Sequence, residues 1–454
     1  MAEKKKRTRP MGSLQPDIED MLEWNTLTAD DFAPASTEEK EGFIQERKSV
    51  SYWSDAWRRL RKNKVAMVAM VILILIFLFA FVGPLIVPYG YAEFSQKDTG
   101  GENLHPWHYS LEDQARLAAE LEARTGAASM SPEEAVAKAQ AEAEARGETL
   151  SAREIAMIRA QAKVAAEAQD EAGATVTEEQ LRKELGIRPK LFGYSNYELQ
   201  KMEEGEFVFP HVFGTDRNGR DIMVRVMIGT RVSMIVGVAA AVLVLIIGAI
   251  YGSVSGYFGG KVDAVMQRIV EVIYSIPEVL VILLIAMMLG TVLNDYINTH
   301  TNFLADLATV LGSNLIGMFI AFGLLYWVTM SRIIRGQILQ LKEQEYVTAA
   351  RALGAKGGRI IKRHLLPNCV GQIVVTTCLQ IPSAIFLESF LSFLGVGVSA
   401  PLTSLGSMAS DALGGLWTYP YRLIFPAVIL SIMILCFNLF GDGLRDALDP
   451  RLKK

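Results

Sequence analysis

Long apolar stretches alternate with charged segments along this chain. The first stretch, Val65 to Val87, contains no charged residue and, at about 1.5 Å per helical residue, can cross a hydrocarbon layer roughly 30 Å thick. Five further stretches follow, at Ser233–Ser255, Ile269–Leu289, Ile316–Ile334, Gly371–Phe393 and Leu423–Leu439. The pattern predicts an all-α integral membrane protein with six transmembrane helices.

Polar residues and cations surround the first stretch. Residues 1–50 are polar and show little periodicity, which predicts a flexible cytoplasmic tail without a cleavable secretory signal. The segment 51–90 combines an amphipathic lead-in with the first transmembrane helix. Trp53, Trp57 and several arginines and lysines precede that helix, as is typical of a cytoplasmic flank. Six crossings then place both termini in the cytoplasm.

A hydrophilic insert, residues 91–210, separates the first two stretches, and the core that follows, residues 211–454, carries the other five predicted helices. By this topology the insert is extracytoplasmic. Four candidate caps, each followed by a glycine, predict four short helices in it. The caps are Ser110, Ser131, Ser151 and Thr177, and the glycines are Gly126, Gly147, Gly173 and Gly186. These helices either dock a soluble partner or form a solvated decoration, and their many charges favour the decoration.

Composition excludes some classes of protein. Hydrophobic residues make up 51% of the 454 residues, which soluble domains also reach, so the segregation of charge identifies the membrane protein. The formal net charge of −4 is too small to indicate a nucleic-acid partner. Cys369, Cys378 and Cys436 lie in apolar runs, which favours buried thiols over a disulfide framework.

The predicted cytoplasmic loop between the fourth and fifth helices, residues 342–368, has a distinctive pattern. Periodicity predicts an amphipathic helix over Lys342–Leu353 that ends at Gly354, followed by a basic helical segment. Ala349 and Ala350 give this helix a small-residue face that can lie deep in a groove of another protein. Motion of that protein would then reach the membrane helices on either side.

This loop resembles the EAA loop of ABC importer permeases. In that family the loop forms the coupling helix that grips the ATPase subunit, so the resemblance implies an ATPase-docking surface. The matching positions are two alanines, a glycine and a Leu-Pro pair: Ala349, Ala350, Gly354, Leu366 and Pro367.

Two positions of the loop depart from the family pattern. Thr348 stands where the family usually has glutamate, and His364 stands where it has a branched aliphatic residue. Glu345, one turn before Thr348, can supply the missing negative charge. We therefore include Glu345 and Thr348 in the expected docking surface.

Three other stretches resemble the oligopeptide and dipeptide branch of these permeases, and in particular its C-type subunit. They are 211–221, 387–397 and 438–451. The whole resemblance covers roughly residues 50–90 and 210–454, without the insert and the far N-terminus.

The resemblance implies a multi-subunit importer in the bacterial cytoplasmic membrane. Its partners would be a homologous second permease, two cytoplasmic ATPase subunits and an extracytoplasmic solute-binding protein. ATP and magnesium would bind to the ATPase subunits, so we expect neither a cofactor nor a catalytic residue in this chain. Di- or oligopeptides are the favoured substrates, although relatives in this branch also carry nickel, other small solutes or oligosaccharides.

Two acidic residues lie deep within the predicted membrane helices, apart from Glu271 near the inner end of the third. Glu278 follows Pro277, which we expect to kink the third helix, and Glu388 lies in the fifth helix. Because a charge inside a membrane is costly, such residues usually mark a transport path or a helix contact. Each glutamate either lines a central cavity, where it can contact the amino terminus of a substrate, or forms a hydrogen-bonded strut between helices.

Two other patterns give weaker signals. The stretch Gly214–Asp221 has the glycine spacing of a phosphate-binding loop, but Arg220 and Asp221 replace the lysine and hydroxyl residue that such a loop needs. ATP hydrolysis by this chain is therefore not expected. His105 and His108 are too few for a metal site without further ligands.

Two rival classes of protein remain open. An ion-coupled secondary transporter would act without ATPase subunits, but it needs coupling residues at mid-membrane and usually an internal repeat. The sequence offers only Glu278 and Glu388 and no convincing repeat. A membrane scaffold that transports nothing would not need the coupling-like loop.

Overall fold

The computed structural model describes residues 51–91, 100–126, 155, 157, 178–398 and 402–448. By its internal contacts the chain divides into residues 1–55 and 56–454, and of the first unit only residues 51–55 are described. The description below therefore concerns the second unit, apart from the helix that begins at Tyr52.

Helices form nearly all the regular structure of the described residues. The first half of the chain contains α1 (Tyr52–Leu60), α2 (Lys64–Phe81), α3 (Gly83–Ile86), β1 (Trp107–His108), α4 (Leu111–Gly126), α5 (Glu178–Glu184), β2 (Lys190–Leu191), α6 (Asn196–Glu203) and α7 (Ile222–Phe258). The second half contains α8 (Gly260–Tyr274), α9 (Glu278–Thr299), α10 (Phe303–Leu311), α11 (Ser313–Leu325), α12 (Val328–Leu341), α13 (Glu345–Ala352), α14 (Gly357–Ile360), α15 (Val370–Phe393), α16 (Leu405–Ala412) and α17 (Tyr421–Leu448).

Six helical segments of the described chain are long and apolar enough to cross a membrane, as predicted. They are α2, α7, α9, the continuous pair α11 and α12, the run 357–393 that ends with α15, and α17. Inside a bilayer no water satisfies the backbone, so helices that bond their own amides are the expected spanning structure.

The third predicted span contains a break. It was predicted as one helix over Ile269–Leu289, whereas α8 ends at Tyr274 and α9 begins at Glu278. Pro277 caps the start of α9, where its missing N–H costs nothing, so it separates two helices instead of kinking one. Pro382, by contrast, lies inside α15, which continues through it.

The long helix α7 forms the centre of the packing. Its 37 residues extend about 55 Å at 1.5 Å per residue, well beyond a roughly 30 Å hydrocarbon layer. α12, α15 and α2 pack along it, while α9 packs on α11 and α17 packs on α15 and α2. A Cβ atom at Gly252 would stand 2.4 Å from the carbonyl oxygen of Ser331, so the backbones of α7 and α12 touch there.

Parts of the insert agree with the predicted caps. Ser110 precedes α4, and its Oγ donates to Oδ2 of Asp113 at 2.6 Å. α5 begins one residue after the predicted cap Thr177 and is followed by Gly186, which has a φ of 71°. These are the first and last of the four predicted helices. The predicted second and third helices lie outside the described residues, except for residues 155 and 157.

Two features of the insert were not predicted. β1 and β2 pair in antiparallel orientation, with Trp107 opposite Leu191. α6 begins with a capping box, in which Ser195 Oγ accepts the N–H of Glu198 at 3.2 Å and Glu198 Oε2 accepts the N–H of Ser195 at 2.8 Å. This cap fixes the position of the Glu198 carboxylate.

The Glu198 carboxylate also contacts a buried histidine. His211 lies with Nδ1 2.7 Å from Oδ2 of Asp221 and with Nε2 3.3 Å from Oε1 of Glu198. Asp221 in turn caps α7 by accepting the N–H of Val224 at 2.8 Å. Burial alone would lower the pKa of His211, but the hydrogen bonds and charges of the two carboxylates outweigh it and raise the pKa to about 9. The imidazolium thus joins the insert to the first turn of α7.

We expect the folded chain to lose stability as the pH rises toward 9 because of His211. A histidine whose pKa rises from 6.5 to about 9 on folding stabilises the fold fully below pH 6.5, and this contribution is lost as the pH rises through about 9. At about 1.4 kcal/mol per pKa unit, the contribution is on the order of 3 kcal/mol. Thermal unfolding of the purified chain in detergent, between about pH 6 and about pH 10, measures it.

Two variants isolate the histidine. His211→Gln should unfold at a lower temperature at low pH and should depend less steeply on pH than the wild type. His300→Gln changes an exposed histidine at the end of α9 and should follow the wild-type curve. Equal pH slopes in the wild type and His211→Gln would contradict the ion cluster.

Candidate functional site

The loop 342–368 forms one short helix and then a series of tighter and wider turns. The predicted helix over Lys342–Leu353 is shorter in the structure, because Lys342 ends α12 and the extended backbone of Gln344 separates it from α13. α13 begins at Glu345. The loop is therefore attached directly to α12 by a turn of three residues.

Val347 anchors α13 to the membrane helices. Its side chain is fully buried in an apolar cluster with residues of α8, α12 and the approach to α15. The cluster includes Val270, Ile334, Ile338, Ile360, Leu365 and Cys369. Burial of a valine side chain contributes about 1.5–3 kcal/mol, so displacement of α13 favours movement of these helices with it.

The other face of α13 carries an exposed apolar stripe. Tyr346 and Leu353 expose 40% and 88% of their surface, and Ala349 between them is also exposed. Residues spaced three and four apart lie on one side of a helix, so the three side chains form one strip. Ala350 beside them is half-buried. This strip, formed by Tyr346, Ala349 and Leu353, covers one face of the helix. It is suited to packing against another protein.

Gly354 ends α13 as predicted. Its φ is 80°, and the N–H of Ala355 reaches back to the carbonyl oxygen of Ala350 at 3.1 Å. A glycine adopts this left-handed conformation without steric cost. Beyond it, Leu366 and Pro367 lie in a short 3₁₀ turn that leads directly into α15.

The polar positions of the loop are accessible. Glu345 and Thr348 are both exposed, and Glu345 lies in the first turn of α13, where the helix dipole favours a carboxylate. Thr348 Oγ1 is 3.5 Å from the carbonyl oxygen of Gln344, a marginal hydrogen bond that leaves its hydroxyl available. His364 is half-buried, and its carbonyl oxygen accepts the Asn368 side-chain amide at 2.6 Å.

A pair of charged residues that was not predicted lies near this loop. Arg335 donates through Nε and Nη2 to the two carboxylate oxygens of Asp263 at 2.6 and 2.5 Å, and Ser255 Oγ donates to the same carboxylate at 2.5 Å. The hydrogen bond from Arg335 lowers the pKa of Asp263 more than its partial burial raises it. The cluster ties α7, α8 and α12 together at the end that carries α13.

Glu388 lies in a closed, hydrogen-bonded environment. It is fully buried, and its carboxyl oxygens contact the hydroxyls of Ser233 at 2.8 Å, Ser389 at 3.2 Å and Ser392 at 2.8 Å. Ser233 belongs to α7, so the contact crosses from α15 to the central helix. This geometry is that of an interhelical strut.

Glu278 lies in an open environment instead. It is exposed at the start of α9, between a groove of about 660 Å³ along α9 and a second groove of about 380 Å³. The second groove also contains Tyr326, Pro382 and Ile434, which belong to three other membrane-spanning segments. Glu278 therefore borders both grooves and faces space that solvent can enter.

The two weaker patterns, Gly214–Asp221 and the histidines of the insert, take part in structural contacts near the insert. In the stretch Gly214–Asp221, Asp216 Oδ1 accepts the N–H groups of Asn218 at 2.8 Å and Arg220 at 3.0 Å, so a carboxylate fills the loop. The ring of His105 stacks on Trp107, with 4.8 Å between centroids. Burial, together with the nearby positive charges of two arginines, lowers the pKa of His105. Among the described residues no group of three metal-ligating side chains is found.

Comparison with known protein families matches two parts of this chain. Residues 245–454 match the model of the binding-protein-dependent transport system inner membrane component. Residues 51–106 match the model of the N-terminal TM domain of oligopeptide transport permease C. The first match includes α13 and Gly354, and the second includes α2.

Individual relatives carry related names. The oligopeptide transport system permease protein OppC of Bacillus subtilis is 40% identical over 244 residues, which cover 54% of this chain and 73% of the relative. OppC of Escherichia coli K12 is 44% identical over 241 residues, 53% of this chain and 72% of the relative.

A third relative extends the similarity further. The dipeptide transport system permease protein DppC of Lactococcus lactis is 33% identical over 405 residues, 89% of this chain and 92% of the relative. An alignment of that length includes much of the insert, which the initial resemblance did not cover.

The environments of the two glutamates predict effects of different size on stability. Glu388→Ala should lower the free energy of unfolding by roughly 1–3 kcal/mol, because buried serine hydroxyls lose their acceptor. Glu278→Ala, the same substitution at an exposed position, should change it by less than about 0.5 kcal/mol. Thermal or denaturant unfolding of the purified variants in detergent measures both. Equal losses in the two variants would contradict the strut geometry of Glu388.

Proposed function

The chain belongs to the family of binding-protein-dependent inner-membrane transport components, in the branch of oligopeptide and dipeptide permeases, and on this basis we propose that it is the C-type permease subunit of an ATP-driven peptide importer. The observation that carries the proposal is α13, a short helix with an exposed apolar strip and one fully buried anchor in the membrane bundle. The names of the relatives, oligopeptide and dipeptide permeases, support peptides as the substrate.

The proposed importer needs three kinds of partner subunit. A second, homologous permease would pair with this chain, two cytoplasmic ATPase subunits would bind at the α13 surface, and an extracytoplasmic binding protein would deliver the substrate. ATP and magnesium would be held by the ATPase subunits. Family membership supports this assembly, and the open grooves beside Glu278 are suited to completion by a second permease.

The proposed orientation has both termini and α13 in the cytoplasm and the insert outside. Its support is the distribution of cations, which gather around α13 as they do on cytoplasmic flanks. They include Arg332, Lys342, Arg351, Lys356, Arg359, Lys362 and Arg363. Glu345, Thr348, Ala349, Ala350 and Gly354, with Leu366 and Pro367 behind them, would then form the docking surface for one ATPase subunit.

The proposed mechanism is alternating access driven by the ATPases. When ATP closes the ATPase pair, it would displace α13, and the anchor Val347 would pass the movement to α8 and α12. The bidentate pair of Asp263 and Arg335 would keep α8 and α12 in register during that movement. Such a change requires that ATP binds more tightly to one state of the complex than to the other.

Glu278 is the residue that we propose to contact the substrate. A peptide carries a positively charged amino terminus, and a carboxylate that faces an open groove between membrane helices is a suitable partner for it. Glu388 has its carboxyl oxygens occupied by serine hydroxyls and would hold α15 against α7.

The central test measures both the assembly of the complex and its transport activity. The chain, expressed with its neighbouring subunits, should co-purify with a second permease and stoichiometric ATPase, and vesicles loaded with ATP should accumulate peptide only in the presence of the binding protein. Peptide transport by this chain alone in vesicles without ATP would overturn the proposal and favour an ion-coupled transporter.

A substitution in the strip tests the docking surface. Leu353→Asp should lower ATPase association and peptide uptake at least about tenfold, because a carboxylate replaces a leucine whose burial at the contact is worth about 1.5–3 kcal/mol. Gly354→Trp and Ala350→Arg should act in the same direction through bulk and charge. Co-purification and uptake measure both effects.

The control is a leucine of similar exposure in the insert. Leu191 in β2 is 80% exposed, and Leu191→Asp should leave ATPase association unchanged. If Leu353→Asp still binds ATPase like the wild type, α13 is not the docking helix.

A further inference from the structure

Four arginines and two aspartates surround a small cavity where α7, α16 and α17 meet at the insert end of the bundle. They are Arg217, Arg220, Arg225, Arg422, Asp216 and Asp411. The cavity has a volume of about 20 Å³. A water molecule needs roughly 10–15 Å³ on the same measure, so one small ligand fits and a large one does not.

The aspartates do not neutralise the arginines. Asp216 is already saturated, since its Oδ2 accepts from Arg220 Nε at 2.8 Å and from Arg225 Nη1 at 2.7 Å while its Oδ1 accepts two backbone N–H groups. Asp411 makes one long contact, 3.4 Å to Arg225 Nη2, and 52% of its side chain is exposed. Counted over these six side chains alone, the formal charges sum to +2.

Donors of two of these arginines lack an acceptor among the described residues. Arg225 and Arg422 are 6% and 9% exposed, and within the described part of the chain Nε of Arg225 and Nε and Nη2 of Arg422 are buried without a hydrogen-bond partner. The guanidinium of Arg422 lies 4.4 Å from the ring centroid of Tyr419, which holds the group in place but satisfies none of its in-plane N–H donors. Buried donors without acceptors are costly and therefore point to a missing partner.

We propose that this cavity binds one small monovalent anion, either chloride or a single carboxylate group. A guanidinium donates in-plane N–H groups to such an anion, and charge-assisted hydrogen bonds of this kind are the strong ones. A cavity of about 20 Å³ favours such a small anion over phosphate or sulfate. The anion would join Arg225 of α7 to Arg422 of α17. The site needs neither ATPase nor peptide, so it stands apart from the proposed transport function.

Chloride NMR of the purified full chain in detergent tests the site. The ³⁵Cl line should broaden in proportion to the protein, and acetate should reverse the broadening if a carboxylate shares the site. Arg422→Gln should weaken chloride binding about tenfold or more, since it removes charged donors. Asp411→Asn should tighten it, because it removes a negative charge and leaves the buried arginines in place.

The matched control is Arg268→Gln, which changes an arginine with 83% of its side chain exposed, outside the cavity, and should leave the broadening unchanged. Broadening that acetate does not reverse would assign the site to chloride alone. If the wild type shows no excess broadening, or if Asp411→Asn leaves it unchanged, water fills the cavity and the proposal is wrong. The Asp411→Asn result tests the proposal even if the Arg422→Gln variant does not fold. Because the readout is chloride binding, its failure leaves the transport proposal untouched.

Discussion

Direct backbone contact between α7 and α12 is the constraint on which the rest of this structure depends. Gly248, Gly252 and Gly256 face α12 so closely that a Cβ atom at Gly252 would stand 2.4 Å from the Ser331 carbonyl oxygen. Apolar burial adds little between helices in lipid, so close packing of small residues is what holds such a pair. α12 leads into α13, while α7 begins at the His211 cluster. This contact therefore connects the loop 342–368 with the side of the bundle that carries the insert.

Hydropathy predicted the membrane helices well because a span is a local property of about twenty residues. It misjudged the third one, because the apolar end of α8 and the start of α9 read as one continuous stretch across Pro277. The capping box of α6 was not predicted, for a different reason. Its signature, Ser195 followed by Glu198, is visible in the sequence, but its role in holding His211 depends on residues brought together by the fold.

The candidate site likewise contains features that the sequence predicts and features that only the folded structure creates. The spacing of Ala349, Ala350 and Gly354 predicted the position and the end of the coupling-like helix, because a helix and its cap are local. The anchor Val347 could not be predicted, since its burial depends on α8, α12 and the approach to α15 together. Glu278 and Glu388 look equivalent in sequence. They differ only through tertiary contacts, chiefly the hydroxyl of Ser233 on α7.

The position of Glu278 limits what can surround this chain in the membrane. Glu278 is the first residue of one spanning segment and lies beside Tyr326, Pro382 and Ile434 of three others. A carboxylate exposed to lipid is costly, by about 2.5–3.5 kcal/mol at the centre of a span. Protein or a water-filled cavity is therefore a more favourable neighbour for this face than lipid. Only 17% of the apolar part of α9 is buried within the chain itself, which leaves a surface on this helix for the second permease that we propose.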